Sequence, residues 1–274
     1  MSTEPVRDSK PASGGTDTGT RDPIDLPGAL RNETWLTLQT RQAQRLIHGR
    51  RAEHDKAAII GLTRFSVLVR QTWTGARAGD PYADWWLLKI HDALEQSRQD
   101  IAIIQRTVAA RLSSIAGVDI VSACSLEPVR VPLQFSHAYA FRGAYLVAAL
   151  DEAVRGLLTA RHVGLMSRDE SERLIADAAR AVRRAFTSPI GYQFSGITRA
   201  EVRQGTARAC EAAQHMGEIP RAILDGEHAA PYGPQAQGGF GGVNARARVA
   251  ARTAADTVPD AHAATVHMPR DDSP

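Results

Sequence analysis

The most regular stretch of this sequence reads ADWWLLKIHDALEQSRQDIAIIQRTVAARLSSI and covers residues 83–115. From Leu87 to Ile115 the apolar residues return in alternating steps of three and four, which predicts one long helix with an apolar stripe. Ser97 and Arg111 are the two polar residues in that stripe. The stripe therefore has two interpretations: a dimerising coiled coil, or a long helix that packs across its own domain.

Shorter helices are predicted on both sides of this stretch. Apolar residues at helical spacing indicate two of them, and the capping boxes Ser167 with Glu170 and Thr198 with Glu201 open two more. In chain order these helices cover residues 57–73, 137–161, 167–186 and 198–217.

A strand is predicted ahead of the first helix. In WLTLQTRQA (35–43), two leucines alternate with Thr37, Gln39 and Arg41. Alternation with a period of two is typical of a strand that is buried on one face only. The three polar residues then share the exposed face.

A second strand is predicted in VRVPLQF (129–135), where Arg130, Pro132 and Gln134 occupy the polar face. Proline has no N–H to donate, so this strand is expected at an edge. A third, apolar strand is predicted over residues 118–123. Together these patterns predict an α+β fold that is predominantly α-helical, with a few short strands.

The 274 residues divide into a body and two tails. Residues 1–27 and 226–274 are rich in small and polar residues, have no apolar period, and are expected to be disordered. Residues 28–225 are expected to form a single globular domain. The sequence has no apolar run long enough to cross a membrane and no apolar signal core near residue 1, so a cytoplasmic protein is expected.

Known enzyme motifs are missing from the sequence. It contains no nucleotide-binding glycine loop, no serine-hydrolase elbow and no zinc-protease motif. Cys124 and Cys210 are too few for a structural zinc site, and no carboxylate cluster suits magnesium. We therefore expect no catalytic site, no metal, no cofactor and no small-molecule substrate.

Basic charge is concentrated in the body. Residues 30–225 carry 26 basic against 20 acidic residues, while both tails are slightly acidic. Arginine outnumbers lysine 30 to 3. Arginine suits bidentate contacts with phosphates and base edges, although the same ratio also follows from a GC-rich genome.

The polar strand faces fit a DNA-reading ribbon. Two such strands, paired in a dimer, can enter the major groove, where arginine contacts guanine and glutamine contacts adenine. A solvated strand face is the plain alternative. The candidates for base contacts are Thr37, Gln39, Arg41, Arg130 and Gln134. The candidates for phosphate contacts are Arg45, Arg50, Arg51, Arg183 and Arg184.

Five segments of the body resemble one protein family. They are LTLQTRQAQRL (36–46), DPYADWWLL (80–88), VPLQF (131–135), LTARHV (158–163) and RRAF (183–186). Proteins of that family are carried by integrating conjugative elements of proteobacteria and are grouped with AcaB-type transcriptional regulators. The resemblance covers about residues 28–225.

The resemblance implies a ribbon-helix-helix-like activator of conjugative-transfer genes. It thus implies a cytoplasmic homodimer that binds double-stranded DNA by sequence. The body is larger than a minimal ribbon-helix-helix domain, so its further helices must serve dimerisation, a partner or an effector. The alternative is a non-enzymatic scaffold or accessory factor that binds protein in the maintenance, excision or transfer of the element.

Overall fold

The structure, a computed structural model, describes residues 33–54 and 56–234. The predicted N-terminal tail and residues 235–274 of the predicted C-terminal tail lie outside the described residues. The elements of the described part are, in chain order, β1 (Thr34–Leu38), α1 (Arg41–His48), β2 (Gly49–Arg50), β3 (Ile59–Ile60), α2 (Leu62–Arg77), α3 (Pro81–Leu112), β4 (Val129–Leu133), α4 (Ala138–His162), α5 (Arg168–Thr187), α6 (Arg199–Gln204), α7 (Ala207–Met216) and α8 (Arg221–Leu224). The predicted α+β class, mainly helical, is confirmed.

The long helix α3 is the centre of the molecule. Asp80 caps its first turn by accepting a hydrogen bond from the Tyr82 backbone N–H. Its apolar stripe is buried against α2, α4 and α5, so the stripe packs within the chain and does not stand free for a coiled coil. Ser97 fits this stripe because its buried hydroxyl donates to the Ala181 carbonyl at 2.8 Å.

The helices α2, α4 and α5 surround α3. Phe65 of α2 and Phe186 of α5 stack in the core, with ring centroids 4.8 Å apart. The predictions for α4 and α5 are confirmed to within a residue or two. The helix predicted over residues 57–73 begins only at Leu62, because residues 59–60 form β3 and pair with β2.

The C-terminal helices form a smaller apolar cluster on the first turns of α3. The helix predicted over residues 198–217 is two helices, since Gly205 adopts a left-handed conformation (φ 63°) and Thr206 caps a new start. Arg199 of α6 pairs with Asp84 of α3 and also donates to the Leu224 carbonyl. These bonds attach α6 and α8 to α3.

The strands β1 and β4 form an antiparallel ribbon within the chain. Thr37 lies opposite Arg130, and Trp35 lies opposite Pro132. The sequence suggested that either strand would pair with its own twin, so this intrachain pairing is a finding of the structure. The other prediction, a strand over residues 118–123, is wrong. That segment is irregular and is held by side chains, including Thr159, whose hydroxyl accepts from the Ala123 N–H at 2.9 Å.

Candidate nucleic-acid interface

A buried carboxylate fixes the turn between β1 and α1. Asp151 of α4 is only 4% exposed and accepts hydrogen bonds from the backbone N–H groups of Gln39 (3.0 Å) and Thr40 (2.8 Å). It also accepts from the Thr40 hydroxyl at 2.7 Å. The Thr40 oxygen in turn caps the first turn of α1. The direction of α1 is therefore set by the core.

This turn corrects the prediction for residues 35–43. The strand ends at Leu38, because Thr40 is already an N-cap and Arg41 is the first residue of α1. Arg41 and Gln39 therefore do not share a strand face with Thr37. The Gln39 side-chain oxygen accepts from the Ser125 N–H at 2.7 Å and so helps to hold the irregular segment.

The exposed face of the β1–β4 ribbon carries two of the predicted base contacts. Thr37 and Arg130 are both exposed and lie opposite each other, while Leu36 and Leu38 are buried beneath. The Arg130 guanidinium lies 4.9 Å from the ring centroid of Trp35, a cation–π distance. The ribbon thus presents an arginine, a hydroxyl and an aromatic ring to solvent.

Gln134 lies just past the end of β4. Its side chain is exposed and lines a cavity of about 70 Å³ together with Arg70 and His137. The His137 ring stacks on Trp73 at 4.5 Å, and burial lowers the pKa of His137, with a further decrease from Arg70. Gln134 and Arg130 are thus close in sequence but belong to different surroundings.

The outer face of α1 is a polar stripe that the sequence analysis missed. Arg41, Gln44, Arg45 and His48 are exposed, while the apolar residues of α1 face the core. The spacing of i, i+3, i+4 and i+7 is the signal for a helix face. In the sequence this signal is masked, because the strand-like alternation of residues 35–38 runs directly into it.

Three of the predicted phosphate contacts meet at one cavity of about 450 Å³, called here the arginine pocket. It lies between α1, the β2–β3 hairpin and α5, which contribute Arg45, Arg50 and Arg183. Its other lining residues are Gln42, Leu46, Gly49, Ile59 and Ala179. Sequence reasoning did not predict that Arg183 would join the other two, since α5 lies more than a hundred residues further along the chain.

The arginines of α5 differ in their partners. Arg180 pairs with Asp177 at 3.1 Å, and Arg184 pairs with Asp100 of α3. Arg183 has no carboxylate partner among the described residues. Of these three side chains, the one that faces the arginine pocket is the one without a counter-charge.

The remaining predicted arginines near this surface are exposed. Neither Arg41 nor Arg51 has a carboxylate partner in residues 33–54 and 56–234. Arg50 donates to the neutral Ala57 carbonyl at 3.0 Å and has no carboxylate partner in the part of the chain that the structure describes. A basic surface therefore extends from α1 over the β2–β3 hairpin to α5.

The described residues hold no group of His, Cys, Asp and Glu side chains suited to a metal ion. None of the described helices is both long and apolar enough to span a bilayer.

Residues 26–237 match the family model described as transcriptional regulator AcaB. The chain belongs to the AcaB family of transcriptional regulators. A solved structure has a similar fold: the crystal structure of selenomethionine-containing AcaB from uropathogenic E. coli. The TM-score is 0.50 at 13% sequence identity, over 71% of this chain and 95% of the E. coli AcaB chain. No curated protein matches the chain.

Proposed function

We propose that this chain is a sequence-specific DNA-binding activator of genes of an integrating conjugative element. The observation that carries the proposal is the basic surface of α1, the β2–β3 hairpin and α5, where Arg41, Arg45, Arg51 and Arg183 have no carboxylate partner among the described residues. Arginines without a counter-charge are available to phosphates. Membership of a transcriptional-regulator family supports the same reading.

The phosphate contacts are assigned to the basic surface. Arg45, Arg50, Arg51 and Arg183 lie on it, and Arg184 lies next to it on α5, where its pair with Asp100 must open for a phosphate contact. Each phosphate that is neutralised adds to the salt dependence of binding. The expected signature is therefore an affinity that falls steeply with salt.

The base contacts are assigned first to the exposed face of the β1–β4 ribbon. A two-stranded ribbon fits the major groove, and Arg130 can contact the two acceptors of a guanine while Thr37 contacts a neighbouring base. Arg41 and Gln134 are further base-contact candidates at either end of this region. Gln39 can join them only if its bond to Ser125 opens.

We further propose that the regulator acts in the cytoplasm as a homodimer, because two-fold symmetric regulators bind two-fold DNA sites. Catalysis forms no part of the proposal. The second candidate function is a non-enzymatic scaffold or accessory factor for maintenance, excision or transfer. It is favoured by the exposed apolar side chains of Trp35 on β1 and of Val121 and Leu126 in the irregular segment before β4, which suit a protein partner.

The test is a fluorescence anisotropy titration of the full chain with promoter DNA of its own element and with a scrambled duplex. We expect tighter binding to the promoter, and a large loss of affinity between about 50 and 200 mM salt. Arg130→Ala should cost about 1–3 kcal/mol on the promoter and reduce the preference for it. Arg183→Ala should weaken both duplexes alike.

The matched control is Arg173→Ala, which removes an exposed arginine from α5 outside the arginine pocket. Its affinity for both duplexes should stay close to that of the wild type. Equal and salt-insensitive binding to both duplexes, or none at all, would reject the DNA-binding proposal and favour the scaffold.

A further inference from the structure

The arginine pocket has an apolar floor. Contacts between arginines and phosphates do not explain this floor. Leu46 is buried and Ile59 and Ala179 are half-buried at its base, whereas Arg45 and Arg50 are exposed at its rim. A phosphate of duplex DNA lies on a convex surface, joined to a sugar on each side. It can reach arginines at a rim but cannot bring an apolar group to the floor.

We propose that the arginine pocket binds a small phosphorylated molecule of the nucleoside monophosphate class. Its phosphate would bind Arg45, Arg50 and Arg183, and its planar base would lie on the apolar floor. The cavity of about 450 Å³ lies within the range of ligand pockets, roughly 300–1,000 Å³. Guanidinium groups also stack well on planar rings. Binding of this ligand does not depend on the proposed DNA-binding function.

The charges of the pocket favour an anion. Among the described residues no carboxylate lines it, and Asp177 and Asp100 are paired with Arg180 and Arg184. Three guanidinium groups around one cavity repel each other, and a bound phosphate relieves that repulsion. Arg183 is half-buried, so its contact with an anion is less screened by water than a contact at an exposed arginine.

The backbone holds the pocket in shape before any ligand arrives. Gly49 adopts φ 70° where α1 turns into β2, and a Cβ atom there would lie 2.1 Å from the Ile59 carbonyl oxygen. Only glycine therefore lets the hairpin approach so closely. The Ala57 carbonyl accepts from the Arg50 guanidinium at 3.0 Å and fixes the position of that side chain. A preformed site of this kind reduces the entropy lost on binding.

The test is isothermal titration calorimetry of the full chain with AMP, adenosine and inorganic phosphate. AMP should bind at one site. Inorganic phosphate, which lacks the base, and adenosine, which lacks the phosphate, should each bind at least tenfold more weakly. Arg183→Ala and Arg45→Ala should each weaken AMP binding about tenfold or more. Arg173→Ala, the matched loss of an α5 arginine outside the pocket, should leave it unchanged. Thermal unfolding of each variant checks that it is folded.

A duplex DNA titration of the same variants separates the two sources of phosphate. If AMP does not bind at millimolar concentration, or if Arg173→Ala weakens it as much as Arg183→Ala does, the inference is overturned. Loss of DNA binding in Arg183→Ala without any AMP binding would assign the pocket to DNA alone, so the inference fails while the proposed function stands. AMP binding without DNA binding would mean that the inference stands while the proposed function fails.

Discussion

Three arginines of α6 and α7 and the arginines of the basic surface are the same residue type in opposite situations. Near α6–α8, Arg199 pairs with Asp84, Arg203 with Asp225 and Arg208 with Glu201. On the basic surface, Arg45 and Arg183 have no such partner among the described residues. The net charge of the chain cannot tell these two groups of arginines apart. The position of the carboxylates can: arginines with a carboxylate partner stabilise the fold, and the arginines of the basic surface are available to a ligand.

One acid from each of α3, α4 and α5 is engaged in other contacts. The Asp151 carboxylate accepts hydrogen bonds from the backbone of the β1–α1 turn. Asp177 and Asp100 pair with Arg180 and Arg184 of α5. An acid that approached Arg45 or Arg183 would neutralise the surface. No acid of the described residues lines the pocket, which therefore presents positive charge.

The largest effect is expected from Asp151→Ala, which removes the support of the β1–α1 turn. The backbone N–H groups of Gln39 and Thr40 would lose a charged acceptor at a part-buried site, which should lower the free energy of unfolding by about 3 kcal/mol. Urea unfolding measures this loss. Asp177→Ala, which breaks only an exposed ion pair, should change it by about 0.5 kcal/mol or less. Equal losses would contradict the assigned role of Asp151.

The pH dependence of stability should reveal the pair between α3 and α6. Burial raises the pKa of Asp84 from 3.8 to about 6, although Arg199 acts to lower it. The folded state thus binds more protons than the unfolded state between about pH 4 and 6. The contribution of Asp84 to stability is greatest below pH 4 and falls, by roughly 2–3 kcal/mol, as the pH rises to 6.

Comparison with Asp84→Asn isolates this contribution, since the other titrating groups are common to both proteins. The free energy of unfolding of the wild type minus that of Asp84→Asn should decrease as the pH rises from 4.5 to 6.5. A flat or rising difference would show that Arg199, and not burial, dominates the pKa of Asp84.

A smaller loss is expected from Arg199→Ala, the paired arginine of α6. It removes the partner of Asp84 and a donor to the Leu224 carbonyl, which should lower the free energy of unfolding by about 2 kcal/mol. DNA affinity at a temperature where the variant is fully folded should stay the same. A loss of DNA affinity in the folded variant would contradict the view that Arg199 stabilises the fold and does not bind DNA.

The smallest effect on stability is expected on the basic surface. Arg45→Ala should change the free energy of unfolding by about 0.5 kcal/mol or less, because its side chain is exposed and no ion pair breaks. DNA affinity should nevertheless fall for every sequence tested. A substantial loss of stability would instead place Arg45 among the arginines that hold the fold.

Local patterns were enough to predict the three longest helices, α3, α4 and α5. The stripe from Leu87 to Ile115 predicted α3, which ends three residues short of it at Leu112, and the capping box at Ser167 predicted α5. Each of these signals is local in the sequence. The end of β1 was missed because the acid that fixes it, Asp151, comes from a helix more than a hundred residues away. Local propensity contains no information about such a contact.

The sequence offers the candidate residues one by one but not their arrangement. Arg45, Arg50 and Arg183 were each assigned to phosphate contact, yet only the packing of α5 beside the β2–β3 hairpin brings them to one cavity. The partners of Arg180 and Arg184 were equally hidden, since one of them lies on α3. The sequence lists the arginines, but tertiary packing decides which of their charges lack a carboxylate partner.

The most direct test of the account is the salt dependence of DNA binding in two double variants. Arg45→Ala with Arg183→Ala removes two arginines that lack partners, while Arg203→Ala with Arg208→Ala removes two exposed arginines that have them. We predict that the first pair reduces the slope of log K against log salt by about 2 and that the second leaves it unchanged. Equal changes in both, or no change in the first, would contradict the claim that the arginines of the basic surface bind DNA.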